Sequence, residues 1–201
     1  EFVLGGILQL YKESKFFAEN QAAHRWEKHR GLRELSGKTA CIIGTGSVGS
    51  AIARRLRAFD VQTVGMNRSG HPAAEFDQTQ PTCRLDDLLP LADLVICAMP
   101  LTAETAGLFD SERIAKIKPG AVFVNVARGK VTDQQALVEA LQSGQLSGAV
   151  LDVFEEEPLP RSSPLWNMEQ VILSPHNSFV GEHNGERLFR LICKNLESFA
   201  K

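Results

Sequence analysis

The stretch Thr39-Ala-Cys-Ile-Ile-Gly-Thr-Gly-Ser-Val-Gly-Ser-Ala-Ile-Ala-Arg-Arg-Leu56 sets glycines at 44, 46 and 49 between an apolar run and an amphipathic one. Glycines at this spacing act through the backbone, and what they bind is phosphate. Gly44 permits a tight turn, Gly46 lets the main chain approach a pyrophosphate, and Gly49 lets a following helix pack close to the strand. Thr45, Ser47 and Val48 complete the turn. The free N–H groups and positive dipole end of the helix then face the anion. A lone GxGxxG is weak evidence, but one that leaves a strand and opens a helix is much stronger. A dinucleotide site is predicted here.

A second chemical signal lies where the nucleotide's ribose would be read. Roughly 20 residues past the glycine turn, a site that prefers NAD usually shows Asp or Glu. Met66-Asn67-Arg68-Ser69 carries no acid. Asn67 removes the repulsion that a carboxylate would exert on a 2′-phosphate, while Arg68 and Ser69 supply a cation and a hydroxyl to bind it. The pattern favours NADP(H) over NAD. The competing reading has Arg68 stacked on adenine or pointing into water.

Both signals need a scaffold. After the first strand, Val61–Met66, Leu94–Ala98, Ala121–Val126, Gly148–Leu151 and Val171–Leu173 read as further strands. They lack clean in/out alternation, as expected for strands covered on both faces of a parallel sheet. Helical patterns separate most of them: Ser47–Phe59, a short Leu85–Leu91, and Asp133–Ser143, which ends at Gly144, a natural C′ residue. Thr132-x-x-Gln135 is a candidate capping box for the last of these. Strand alternating with helix predicts an α/β fold with a doubly wound parallel sheet, a Rossmann fold. Phe2–Tyr11 reads as a helix with no N-cap before it. A polar arm with scattered aromatics, Lys12 to Arg33, follows, and Glu186–Lys201 shows near-helical apolar periodicity with a wet opposite face. These ends suggest a chain cut from a longer protein.

At 201 residues the chain fits one domain with a substantial core. A formal net charge of -2 without a basic block argues against nucleic acid as a partner. The early apolar run is too short to span a bilayer, so no membrane association is expected. Cysteines 41, 83, 97 and 193 form no CxxC and show no metal spacing. Reduced thiols in a cytoplasmic protein are expected.

Four further segments stand in order along the chain. They are Leu35-Ser-Gly-Lys38, Ala98-Met-Pro-Leu-Thr102, Asn125-Val-Ala-Arg-Gly129, and Leu151-Asp-Val-Phe-Glu-Glu-Glu-Pro158 with Ser174-Pro-His176. Together with the glycine turn, this set resembles the D-isomer-specific 2-hydroxyacid dehydrogenases over almost the whole chain. The resemblance implies hydride transfer between NAD(P)H and a small 2-oxo or 2-hydroxy acid. It also implies a division into a hinge helix and dimerisation arm (1–34, carrying Trp26), a Rossmann core (35–176) and a C-terminal hinge helix (177–201). The substrate domain is largely absent, and the expected partner is a second copy in a homodimer.

The resemblance also assigns roles. His176 matches the proton donor, a task suited to an imidazole that titrates near neutrality. Glu157 matches the carboxylate that hydrogen-bonds this histidine, and Arg128 the cation that grips carboxylate and carbonyl oxygens. Asp152 falls where the family places a carboxylate near the nicotinamide carboxamide, although it could merely end a strand. Met99, Pro100 and Thr105 fall along the cofactor, with helix capping as the alternative for Thr105. Val126 and Ala127 are expected as small apolar walls of the nicotinamide pocket. The Asn67-Arg68-Ser69 pattern is similar to that of the NADP-using branch, which includes glyoxylate and hydroxypyruvate reductases. Asp60 departs from the glycine common in relatives, yet Asp tolerates a left-handed backbone better than most residues. A dinucleotide-sensing interaction module of the corepressor type is the alternative function, because such proteins resemble the same family.

Overall fold

The computed structural model describes residues 1–199. Its strands are β1 Thr39–Ile43, β2 Gln62–Asn67, β3 Gln78–Pro81, β4 Leu94–Cys97, β5 Ala121–Asn125, β6 Leu146–Leu151 and β7 Val171–Leu173. They form one sheet in the order β3-β2-β1-β4-β5-β6-β7, and every neighbouring pair is parallel. The chain winds outward from β1 to β3, returns, and winds outward again from β4 to β7. Between β1 and β4 the order reverses, which opens a crevice at the carboxyl ends of the strands. This is the expected doubly wound α/β architecture.

Successive residues of a strand point to opposite faces, and here both faces are buried. Ile42, Ile96, Val124 and Val150 face helices α1 (Phe2–Tyr11) and α3 (Ser47–Arg57), packing with Ile7, Ile52 and Leu56. Ile43, Cys97, Phe123 and Leu151 face the opposite layer, packing with Ile114 of α5 (Ser111–Lys116) and Leu137 and Leu141 of α6 (Gln134–Gln142). Each fully buried Leu or Ile contributes about 1.5–3 kcal/mol, so the two layers together account for the absence of in/out alternation. Gly6 lets α1 lie directly on β6, because a Cβ there would stand 2.5 Å from a methyl of Val150.

Some expected boundaries moved. Asp133, not Thr132, caps α6, its carboxylate accepting the Ala136 N–H at 3.0 Å. Thr132 is buried with its hydroxyl toward Asn125, so no Thr132 capping box exists. Gly144 does take a left-handed φ of 77°, and Asp60 one of 57°. The expected arm contains helix α2 (Ser14–Ala22), and β3 and α5 are additions. In place of the Leu85–Leu91 helix, α4 (Leu85–Leu88) is flanked by single 3-10 turns. Helix α7 runs from Asn184 to Phe199 and buries no residue; the last two residues of the expected Glu186–Lys201 helix lie outside the described residues. Among the described residues, no helix is long and apolar enough to cross a membrane.

Candidate cofactor and active site

Every expected site residue lies on the segment that follows the carboxyl end of a strand, or at that end itself. Gly44 to Gly49 follow β1, Asn67 to Ser69 end β2, and Met99 to Thr105 follow β4. Val126 to Arg128 follow β5, Asp152 and Glu157 follow β6, and His176 follows β7. The strand order therefore brings residues from across the sequence to one rim.

At the glycine turn, the three glycines do different things. Gly44 has φ 108°, and a Cβ there would sit 2.5 Å from the Ala98 carbonyl oxygen. A Cβ on Gly49 would stand 1.8 Å from the Gly44 carbonyl oxygen, so only glycine lets α3 approach the strand. Gly46 caps α3, and a Cβ there would meet nothing. That open space is the cradle. No side chain caps α3, which leaves its first-turn N–H groups directed at the space. The cradle therefore fits a pyrophosphate.

Asn67 ties this turn to the end of β2. Its Nδ2 donates to Thr45 Oγ1 at 3.1 Å and to the His71 carbonyl at 2.9 Å, while its Oδ1 is buried without a partner. Arg68 and Ser69 are exposed on the following turn. Thr105 caps no helix. Its hydroxyl donates to the Pro100 carbonyl at 2.8 Å and accepts the Thr102 N–H at 2.7 Å, stapling the loop after β4.

The opposite end of the rim carries the titratable groups. His176 Nδ1 lies 2.8 Å from Glu157 Oε2, and Glu157 Oε1 accepts the Phe154 N–H at 3.0 Å. Partial burial pushes the Glu157 carboxyl upward, but the hydrogen bond from His176, the Phe154 N–H and the imidazole's charge outweigh it and hold the group below the usual carboxylate range. An ionised carboxylate only accepts, so Nδ1 donates and Nε2 remains for chemistry. His176 has φ 52°, unusual for a side chain of this size. Asp152 holds it there. The Asp152 carbonyl accepts the His176 N–H at 2.8 Å, and its carboxylate accepts from the Ser174 hydroxyl, the Asn177 N–H at 2.8 Å and the Ser178 N–H at 3.0 Å.

Arg128, Val126, Asp152 and His176 line one crevice of about 670 Å³ with Ser47 and Val48 of α3. Arg55 and Arg187 line it too, with Glu1, whose carboxylate lies 3.8 Å from Arg55. His176 and Glu157 also border an apolar pocket of about 600 Å³ walled by Phe154, Leu159, Trp166 and Leu173. The side chains of Met99 and Ala127, on the segments that follow β4 and β5, pack into the core. One contributor was not anticipated. Asn125, buried at the end of β5, accepts the Ala127 N–H at 3.0 Å and donates to the Arg128 carbonyl at 3.1 Å, fixing the segment that carries Arg128. Asn125 opens one of the four segments that carry the resemblance, but no role of its own is assigned to it there.

A parallel sheet with a glycine cradle at its switch point defines a dinucleotide-binding α/β domain. Residues 4–178 match the family described as D-isomer specific 2-hydroxyacid dehydrogenase, NAD binding domain, and the chain belongs to that family. Among curated relatives, glyoxylate reductase of Pyrococcus furiosus is 40% identical over 168 residues, covering 84% of this chain and 50% of the relative. The chain thus spans about half the length of the curated relatives it matches. Among solved structures, a D-isomer specific 2-hydroxyacid dehydrogenase family protein from Aeromonas salmonicida superposes with a TM-score of 0.91 at 38% identity, over 100% of this chain and 64% of that one. A D-isomer specific 2-hydroxyacid dehydrogenase from Xanthobacter autotrophicus, in complex with NADPH and MES, gives 0.78 at 36% identity over 87% and 55%.

Proposed function

We propose that this chain is the cofactor-binding part of an NADP(H)-preferring oxidoreductase that interconverts small 2-oxo and D-2-hydroxy acids. The observation that carries the reading is the His176–Glu157 pair at 2.8 Å, on the same rim as Arg128 and the open cradle at Gly46. Gly44 to Gly49 would hold the pyrophosphate, and Val126 and Asp152 would hold the nicotinamide end. When bound, the dinucleotide supplies or accepts the hydride.

The chain's own residues do the rest. Arg128 binds the substrate carboxylate, and its guanidinium geometry suits two oxygens at once. His176 donates the Nε2 proton to the carbonyl oxygen as alkoxide character develops, and takes it back in the reverse direction. Glu157 keeps Nδ1 engaged, so the ring stays oriented and its cationic form is compensated. The missing acid at the end of β2, with Arg68 and Ser69 beside it, supports NADP(H), and the NADPH complex of the Xanthobacter autotrophicus relative fits that preference.

The same reading assigns 1–34 as hinge helix and dimerisation arm, 35–176 as Rossmann core and 177–201 as C-terminal hinge helix. Trp26 on the arm is 97% exposed, which suits burial against a second copy in a homodimer. Free cysteines suit a reducing cytoplasm. Calorimetric titration of the chain with NADPH and NADH tests the cofactor reading, with NADPH expected to bind more tightly. Turnover of glyoxylate, hydroxypyruvate and longer 2-oxo acids, measured on protein that also carries the substrate-facing half, tests the reaction. Wide preference for NADH, or no turnover with any 2-oxo acid, contradicts it.

A further inference from the structure

We propose that Glu104 is a specificity-determining residue that pairs with Arg68 across the adenosine end of the crevice and must be displaced by a 2′-phosphate. This rests on the NADP(H) reading above. In the sheet, β2 and β4 flank β1. Arg68 follows β2, Glu104 lies on the loop after β4, and the glycine turn follows β1 between them. Arg68 Nη2 reaches Glu104 Oε2 at 3.6 Å. The pair therefore joins the loops that follow β2 and β4, the two strands that flank β1.

Glu104 has a second partner besides Arg68. Its Oε2 accepts the Thr102 hydroxyl at 2.8 Å, and the loop beneath it is stapled by Thr105 to Pro100 and Thr102. The Thr102 hydroxyl, the residue's own N–H and the charge of Arg68 hold the carboxyl below its usual range. Glu104 is therefore anionic at neutral pH. Arg68 is 86% exposed and Glu104 71%, so both can swing away when a better partner arrives. A phosphate dianion is a stronger partner for a guanidinium than a carboxylate is. NADH brings only a ribose hydroxyl, which offers Arg68 no anion in exchange. The pair thus sets how much of the attraction between Arg68 and the phosphate is realised.

The test uses Glu104→Gln and Arg68→Gln in this chain, with NADPH and NADH titrated into each variant by calorimetry. Glu104→Gln should tighten NADPH by about two- to fivefold, the range of an exposed ion pair, and leave NADH unchanged. The gain should shrink at high salt. It should also shrink when Arg68→Gln is already present. Arg68→Gln alone should weaken NADPH selectively. Both positions are exposed, so unchanged thermal midpoints are expected. If Arg68→Gln weakens NADPH but Glu104→Gln changes nothing, or shifts NADH equally, the Glu104 proposal fails and the cofactor reading stands. If Arg68→Gln leaves NADPH binding untouched, the cofactor reading fails and takes this proposal with it.

Discussion

The two ends of the crevice are built differently. Around His176, polar atoms are tied down: Asp152, only 1% exposed, gathers donors from Ser174, Asn177 and Ser178, and Glu157 holds the imidazole. These bonds keep a left-handed histidine in place, a conformation that costs about 1–3 kcal/mol on its own. At the proposed adenosine end, Arg68 and Glu104 stand in solvent 3.6 Å apart. Proton transfer requires reacting atoms within hydrogen-bond reach and aligned, so its groups must be fixed beforehand. Attraction between a guanidinium and a phosphate falls off slowly with distance, so a mobile side chain serves. Rigidity is concentrated where direction matters.

The strongest way to break this contrast is His176→Ala. Turnover should fall about 10²–10⁴-fold in catalytically complete protein, the range for losing a general acid, while NADPH affinity stays nearly constant. Equal loss of both would mean that the histidine is part of the cofactor site and not a proton donor. Asp152→Ala comes next. Removing the buried carboxylate takes the acceptor from the Asn177 and Ser178 N–H groups and the Ser174 hydroxyl, a cost of about 1–3 kcal/mol because water reaches part of this turn. Urea unfolding of the chain reads that loss. An unchanged midpoint would show that the turn around His176 does not depend on Asp152.

The same contrast explains what could be read from the amino-acid order. Strands of β-branched and apolar residues such as Leu94–Cys97 and Ala121–Asn125 were legible, because burial on both faces leaves an unbroken apolar run. The glycine turn was legible because its conformational demands are local. β3 was not: Gln78-Thr-Gln-Pro81 is a half-exposed polar edge strand, and a terminal proline suits it because an edge needs fewer donors. Helix α2 hid because nearly all of it faces solvent, and α5 because it spans six residues and rests on its Asp110 cap. Asp152 was expected at the cofactor, yet its largest visible commitment is to residues 174–178. No local pattern announces a bond across that separation. Arg68–Glu104 escaped for the same reason, since only the placement of β2 and β4 on either side of β1 brings the two loops together.

Gly46→Val sharpens the contrast from the middle of the crevice. Its Cβ meets nothing in the protein, so the fold should be kept, with about 1 kcal/mol lost at the α3 cap, but the side chain occupies the cradle. NADPH and NADH should both weaken at least about tenfold, or roughly 1.4 kcal/mol. Selective loss of one cofactor would place the pyrophosphate elsewhere.

The smallest expected effect is in acid. Glu157 sits below its ordinary value although burial opposes this, and Asp86 is lowered by Lys116 and then Arg113. In Asp93 burial again pushes upward, and Lys118 and the Thr39 N–H outweigh it. A carboxyl with a lower value in the folded state stabilises the fold above its unfolded value, near 4. That contribution is lost as pH falls through the folded value. The thermal midpoint should therefore hold between pH 7 and about 5 and drop below about 4. Glu157→Gln should make this acid drop shallower, because the substituted amide has no proton to take up. Glu104→Gln should change it less, and any change should vanish in high salt, because that pair is exposed and screened. A larger acid effect from Glu104 than from Glu157 would reverse the assignment of the rigid and the yielding end.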